Sequence, residues 1–341
     1  MADKTSIDMK RAHIIYAVLV TVLALGALTA LVVQRSLLET PTQSASVGNA
    51  TPTFTNINTA TSDLGTDVAS ATGFTFTENE TKNVYLWGVA DDANGCAEIT
   101  SASAAWSLKF YRNDTTPGNC TSTNYTSCYQ MGESPSGGSF AAATGTGATN
   151  GCSGSADTDL AYEFQFPIKY FSPPTDTGST YASNSWTSEV TVTDYNSATA
   201  STSDTIEINS LAALDITESS ISYGSLALGG TSATSTSALT TIKNTGNKQI
   251  DLSVTGATLT CDKNGTIAPN QIKYDSISAP AYASMRDTLT GSASTTSSFD
   301  LAAQTTTSSS SSKPVYWAIQ IPSNNVSGSC SAAVTISAVG E

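Results

Sequence analysis

AAWSLKFYR, spanning Ala104–Arg112, places Trp106, Leu108 and Phe110 at every second position. Ala161–Ile168, AYEFQFPI, repeats the device with Tyr162, Phe164 and Phe166. Successive side chains of a strand point to opposite faces, so a period of two marks a strand with one face buried. Aromatics spaced in this way pack a core; they do not build a cofactor box. Asn83–Val89 (NVYLWGV) and Trp186–Thr193 (WTSEVTVT) read as further strands around the same core.

The second half of the chain repeats the pattern. Ile250, Leu252 and Val254 alternate in QIDLSV, Val315, Trp317, Ile319 and Ile321 in VYWAIQI, and Val334 and Ile336 near the end. Asn244-Thr245-Gly246-Asn247 between two strands is a hairpin signal, because Gly and Asn tolerate positive φ. Thr305–Ser312 (TTTSSSSS) reads as an exposed loop tip. Short strands separated by turn residues, with no helical period, point to sandwiches. The expected fold is therefore all-β: two β-sandwich, Ig-like domains, at 73–210 and 211–341, behind one N-terminal transmembrane or signal helix.

Composition agrees with that expectation. Charged residues make up 12% of the 341, against a usual share of about 25%. Long amphipathic helices need Glu, Lys and Arg that this chain lacks. Ser, Thr, Ala, Gly and Asn take their place and suit strands joined by polar turns.

The leader, residues 1–35, contains Ile14–Val33, twenty positions without a charge. A helix of that length rises about 30 Å, the thickness of a bilayer's hydrocarbon core. Lys10 and Arg11 precede it, which places the N-terminus in the cytoplasm and everything beyond Arg35 outside. Three fates are open. The segment is retained as an anchor, cleaved near Ala24-Leu25-Gly26 or Ala27-Leu28-Thr29, or cut pilin-fashion within Met9-Lys10-Arg11-Ala12. Tyr16 stands where bacterial pilins usually carry glutamate after such a cut. Residues 36–72 have few large apolar side chains and read as a solvated spacer, in which Phe54–Ile57 could pair as a strand.

All six cysteines, Cys96, Cys120, Cys128, Cys152, Cys261 and Cys330, follow the apolar segment. An even set beyond a leader implies disulfides formed in an oxidising space. Cys261 and Cys330 are alone in the second domain and are expected to bond. The other four allow three pairings, of which spacing favours Cys120–Cys128 with Cys96–Cys152. A zinc site lacks both CxxC spacing and histidine.

His13 is the sole histidine and sits at the membrane segment, so the exported part has no His-dependent triad and no HExxH motif. Paired cysteines remove thiol nucleophiles. No catalytic residue and no cofactor is expected, and the chain does not read as an enzyme. Calcium is a possible ligand: Asp91, Asp92 and Asn94 offer oxygens at a turn, with Asp176 and Asp194 as loop partners. Sequons occur at Asn49, Asn79, Asn113, Asn119, Asn124, Asn264 and Asn325. The net charge of −14 repels phosphate backbones and makes nucleic acid an unsuitable partner.

Particular segments also carry a resemblance. GVADDANGCAEI, CTSTNYTSC, FSPPTDTG and WTSEVTVTD resemble an Ig-like module of surface proteins from small-genome bacteria and archaea. LAALDITESSISYGSLALGG, IKNTGNKQIDLSVTG and VYWAIQIPSNNVSGSCSAAVTISAV resemble the C-terminal sandwich of the TasA/camelysin matrix-fibre family. The resemblance implies a sandwich protein that polymerises outside the cell, as some of that family do by donating a strand to a neighbour, and it implies no active-site residue. The expected role is a cell-surface subunit of a filament or coat, self-associating by β-strand addition. A tethered adhesin for glycan or protein, with Tyr125, Tyr129, Tyr181 and Tyr195 as contacts, is the alternative, and a pilin-like subunit the second.

Overall fold

The computed structural model describes residues 13–25, 44–62, 67–68, 72–101, 103–116, 119–120, 124–131, 152–153, 156–232, 238–277 and 281–341. They fall in two units, 1–48 and 49–341. In the first, residues 13–25 form helix α1, whose apolar side chains are open on every side, with Ile14 63%, Ile15 67% and Leu23 65% exposed. No helix among the described residues is long and apolar enough to cross a membrane. Residues 26–33 of the apolar run and the cut sites at Met9–Ala12 and Ala27–Thr29 lie outside the described residues, as does Gly26 of the remaining one.

Among its described residues the second unit is all-β, with two large hydrophobic cores and a small cluster of Tyr111, Cys120 and Cys128. Its first sandwich holds β1 (Thr53–Ala60), β2 (Thr81–Asp91), the one-turn helix α2 (Ala97–Thr100), β3 (Ala105–Arg112), β4 (Cys128–Met131), β5 (Asp159–Lys169), β6 (Trp186–Thr193) and β7 (Thr199–Ile206). One sheet has the order β1-β2-β5, the other β4-β3-β6-β7. The alternating aromatics meet between them. Trp106 on β3 lies 5.7 Å from Phe164 on β5, and Phe110 stacks on Trp186 at 5.0 Å. Indole N–H groups need acceptors when buried. Trp106 donates to the Ile99 carbonyl and Trp186 to that of Pro173.

The spacer drawn over 36–72 loses residues 53–60 to this sandwich. Strand β1 pairs antiparallel with β2, and Phe54 packs edge-on against Trp106 and Tyr162. Phe54 and Ile57 pack partly buried against the core, and the end of the strand is covered on both faces: Thr59 and Ala60 are fully buried, and Thr59 Oγ1 donates to Ser188 Oγ at 3.2 Å.

The second sandwich contains β8 (Leu214–Ile216), β9 (Ala238–Asn244), β10 (Ile250–Gly256), β11 (Leu259–Cys261), β12 (Thr266–Ile267), β13 (Ile272–Asp275), β14 (Asp287–Thr288), β15 (Ser294–Leu301), β16 (Ser312–Ile319), β17 (Cys330–Ser331) and β18 (Val334–Gly340). A five-stranded sheet, β14-β13-β16-β9-β8, faces the three-stranded β15-β10-β18, and β12-β11-β17 forms a small third sheet. Trp317, Phe299, Ile242 and Leu252 fill the interior. The Trp317 indole donates to Thr240 Oγ1 at 2.9 Å.

The Asn244–Asn247 turn does join β9 and β10, yet none of its residues has positive φ. It is instead buried where the two sandwiches meet. Thr245 accepts from the Asn79 amide and Asn247 Oδ1 from the Leu211 amide, while Asn247 Nδ2 donates to the Asn209 carbonyl. A Cβ on Gly246 would stand 2.0 Å from the Leu211 carbonyl oxygen, so only glycine fits. Residues 305–310 form the exposed loop tip between β15 and β16.

Candidate functional site

Three disulfides close the loops: Cys96–Cys152, Cys120–Cys128 and Cys261–Cys330. The first fixes the turn that follows β2. There Gly95, at φ 117°, reverses the chain, and Cys96 opens α2. The turn carries Asp92, 0% exposed, and α2 carries the half-buried Glu98. From the opposite sheet, the β6–β7 hairpin brings Asp194, 1% exposed. Carboxylate oxygens of these three residues lie within 4.8 Å of one another.

Asparagines complete the cluster. Asn94 N–H donates to Asp92 Oδ1 at 2.8 Å, and Asn94 Oδ1 accepts from the Ala50 amide. Asn49 Nδ2 donates to Asp194 Oδ2 at 2.8 Å, and Asn196 Nδ2 to Glu98 Oε2 at 2.9 Å. Asp194 Oδ1 accepts the Ala198 amide, which closes its own hairpin. Asp92 Oδ2 is the exception: it is buried and has no hydrogen-bond partner. Burial, followed by the facing Asp194 charge, pushes the Asp92 carboxyl above its ordinary value despite the Asn94 bond.

The structure thus gathers Asp92, Asn94 and Asp194 and separates the other two sequence candidates from them. Asp91 lies across the ladder from Asp159 and accepts from Thr55 Oγ1 at 2.9 Å. Burial and then the Asp159 carboxyl raise its pKa. Asp176 ties the chain between the sandwiches by accepting from the Ser210 amide and hydroxyl. Glu98 is the member that sequence reasoning missed. Its approach to Asp194 depends on the Tyr195 amide bonding the Glu98 carbonyl, a contact across 97 positions of chain that no local motif announces.

All seven sequon asparagines are exposed. Of the tyrosines considered for adhesion, Tyr195 is 60% exposed and Tyr129 is buried at 4%. Tyr181 lies beneath the Arg112 guanidinium at 3.5 Å, and Tyr125 packs edge-on against Tyr129 and Phe171. Packing claims most of that set.

A second feature lies on the other sandwich. Between its two main sheets, on the side edged by β8 and β18, runs a groove of about 530 Å³. Ile216, Ile221, Tyr223, Val334 and Ile336 line it over a floor of Thr240 and Ile272. Strand β8 is three residues long and the chain after it, 217–227, forms no strand, so β18 faces this side with a half-buried apolar row.

No protein-family model matches the chain, and neither does any curated protein. Among solved structures it is similar to the CsuC–CsuE chaperone–tip adhesion subunit pre-assembly complex of Acinetobacter baumannii archaic chaperone-usher Csu pili. The TM-score is 0.30 with 11% identity, covering 78% of this chain and 96% of that one. The secreted serine protease VesC of Vibrio cholerae gives 0.17 and 9%, over 78% of this chain and 49% of that one. Likenesses this slight bear on neither fold nor activity.

Proposed function

We propose that this chain is an exported, non-catalytic structural subunit of the cell surface, assembled into a filament or coat by β-strand addition between copies. The observation that carries the reading is the groove beside β18. An edge strand presents unpaired N–H and C=O groups, and a second copy's extended segment would satisfy them while filling the apolar row of Val334 and Ile336. Three disulfides support maturation in an oxidising compartment, and the apolar exposed α1 supports an anchor or a filament-core helix. The sequence resemblance to matrix-fibre sandwiches points the same way.

Negative-stain microscopy of the purified full-length protein over rising concentration tests this. Filaments or sheets are expected, and Ile336→Lys, which sets a charge in the groove, should abolish them while the β-type dichroism spectrum persists. Strictly monodisperse particles from the unmodified chain at high concentration, with and without calcium, would contradict it.

A further inference from the structure

We infer that Asp92, Glu98 and Asp194 form a calcium site that clamps the two sheets of the first sandwich to the chain entering β1. The inference is independent of assembly.

Three carboxylates converge within 4.8 Å, and two of them are almost fully removed from water. Ionised carboxylates in such a place require a compensating charge. Among the described residues no ion pair involves Asp92, Glu98 or Asp194; Arg112 pairs with Asp114, Lys263 with Asp262 and Arg286 with Asp275. Asn49, Asn94 and Asn196 contribute dipoles, not cations. The independent indication of a ligand is Asp92 Oδ2, a buried oxygen in this group that no donor meets.

The donor set selects the ion. Calcium holds oxygens at about 2.3–2.6 Å, so two ligands across it stand up to about 5 Å apart. Magnesium, at about 2.0–2.1 Å, draws them to within about 4 Å and keeps its waters. Oxygens within 4.8 Å of one another are close enough to share a calcium, and three carboxylates exceed the one or two that magnesium takes beside its waters.

The connections give the site its consequence. Asp92 follows β2 of one sheet, and Asp194 follows β6 of the other. Asn49 and Ala50, which bond to Asp194 and Asn94, stand three or four residues before β1 begins. Holding the carboxylates together therefore also holds the start of β1 against the sandwich. The other acidic group, Asp251, Asp300 and Glu341, lacks this character: Asp251 Oδ1 already accepts the Phe299 and Asp300 amides, and its companions are exposed.

Isothermal titration of chelator-stripped full-length protein with calcium chloride and with magnesium chloride decides the matter. One calcium per chain is expected, in the range of about 0.1–1 mM typical of extracellular modules, with magnesium weaker by about tenfold or more. Asp92→Asn should abolish binding. Glu98→Gln, at a half-exposed position that leaves the fold intact by dichroism, should weaken it about tenfold or more. Asp300→Asn should change nothing. No heat up to about 10 mM calcium, or binding unchanged in Glu98→Gln, or binding lost in Asp300→Asn, would overturn the site.

Discussion

Asp275 ends β13, 4% exposed, and Arg286 meets it with Nε at 3.0 Å and Nη2 at 2.9 Å. Burial alone would raise its pKa, but the guanidinium and the Ile277 and Arg286 amides outweigh it and hold the carboxyl below its ordinary value. A depressed folded pKa contributes stability at pH above the unfolded value, and that contribution is lost as pH falls through the folded value. Arg286→Ala should therefore lower the melting temperature most near neutrality, and the gap to the unmodified protein should narrow below about pH 4. A gap constant from pH 7 to 3 would show that the pair is not coupled to folding. Single residues are also where the sequence was hardest to read. Asp91 and Asp92 are adjacent and chemically alike, but strand alternation turns one to Thr55 and the ladder and the other into the acidic cluster.

Strands differ in how plainly they announce themselves. Those with large inward side chains, β3, β5, β6 and β16, are legible because Trp, Phe, Tyr and Val alternate with polar residues. Strand β7, TASTSDTI, and β15, STTSSFDL, have Ser and Thr on both faces. Pairing to a neighbour makes them strands, and no period in the sequence reports that. Strand β1 was visible only as four residues within a spacer, and its seat depends on a close approach. A bulge at Asn56, with φ 58°, shifts the β1–β2 register and brings its carbonyl over Gly88. A Cβ on Gly88 would lie 1.9 Å from that oxygen and 2.7 Å from the Tyr162 hydroxyl. Gly88→Ala should cost about 1–3 kcal/mol in denaturant unfolding and raise amide exchange along Thr53–Ala60 above that of β6. Wild-type stability and unchanged β1 protection would mean that the strand is not held at this crossing.

At the scale of the whole molecule, residues 49–341 are built as two cores sharing a buried junction at Asn244–Asn247. The all-β class was legible because it rests on side-chain period and on a shortage of helix-forming charge. The junction was not, since a turn sequence carries no mark of whether water or another domain will cover it. The acidic cluster was half legible: its loop aspartates stand out, while their convergence is a product of the fold. The proposed function rests on sandwiches closed by three sulfur links. The most direct test is intact mass of the full-length protein, isolated from its native source without reductant and treated with a thiol alkylator under denaturing conditions. No adduct is expected on any of the six cysteines until reductant is added. Six adducts before reduction would contradict the account.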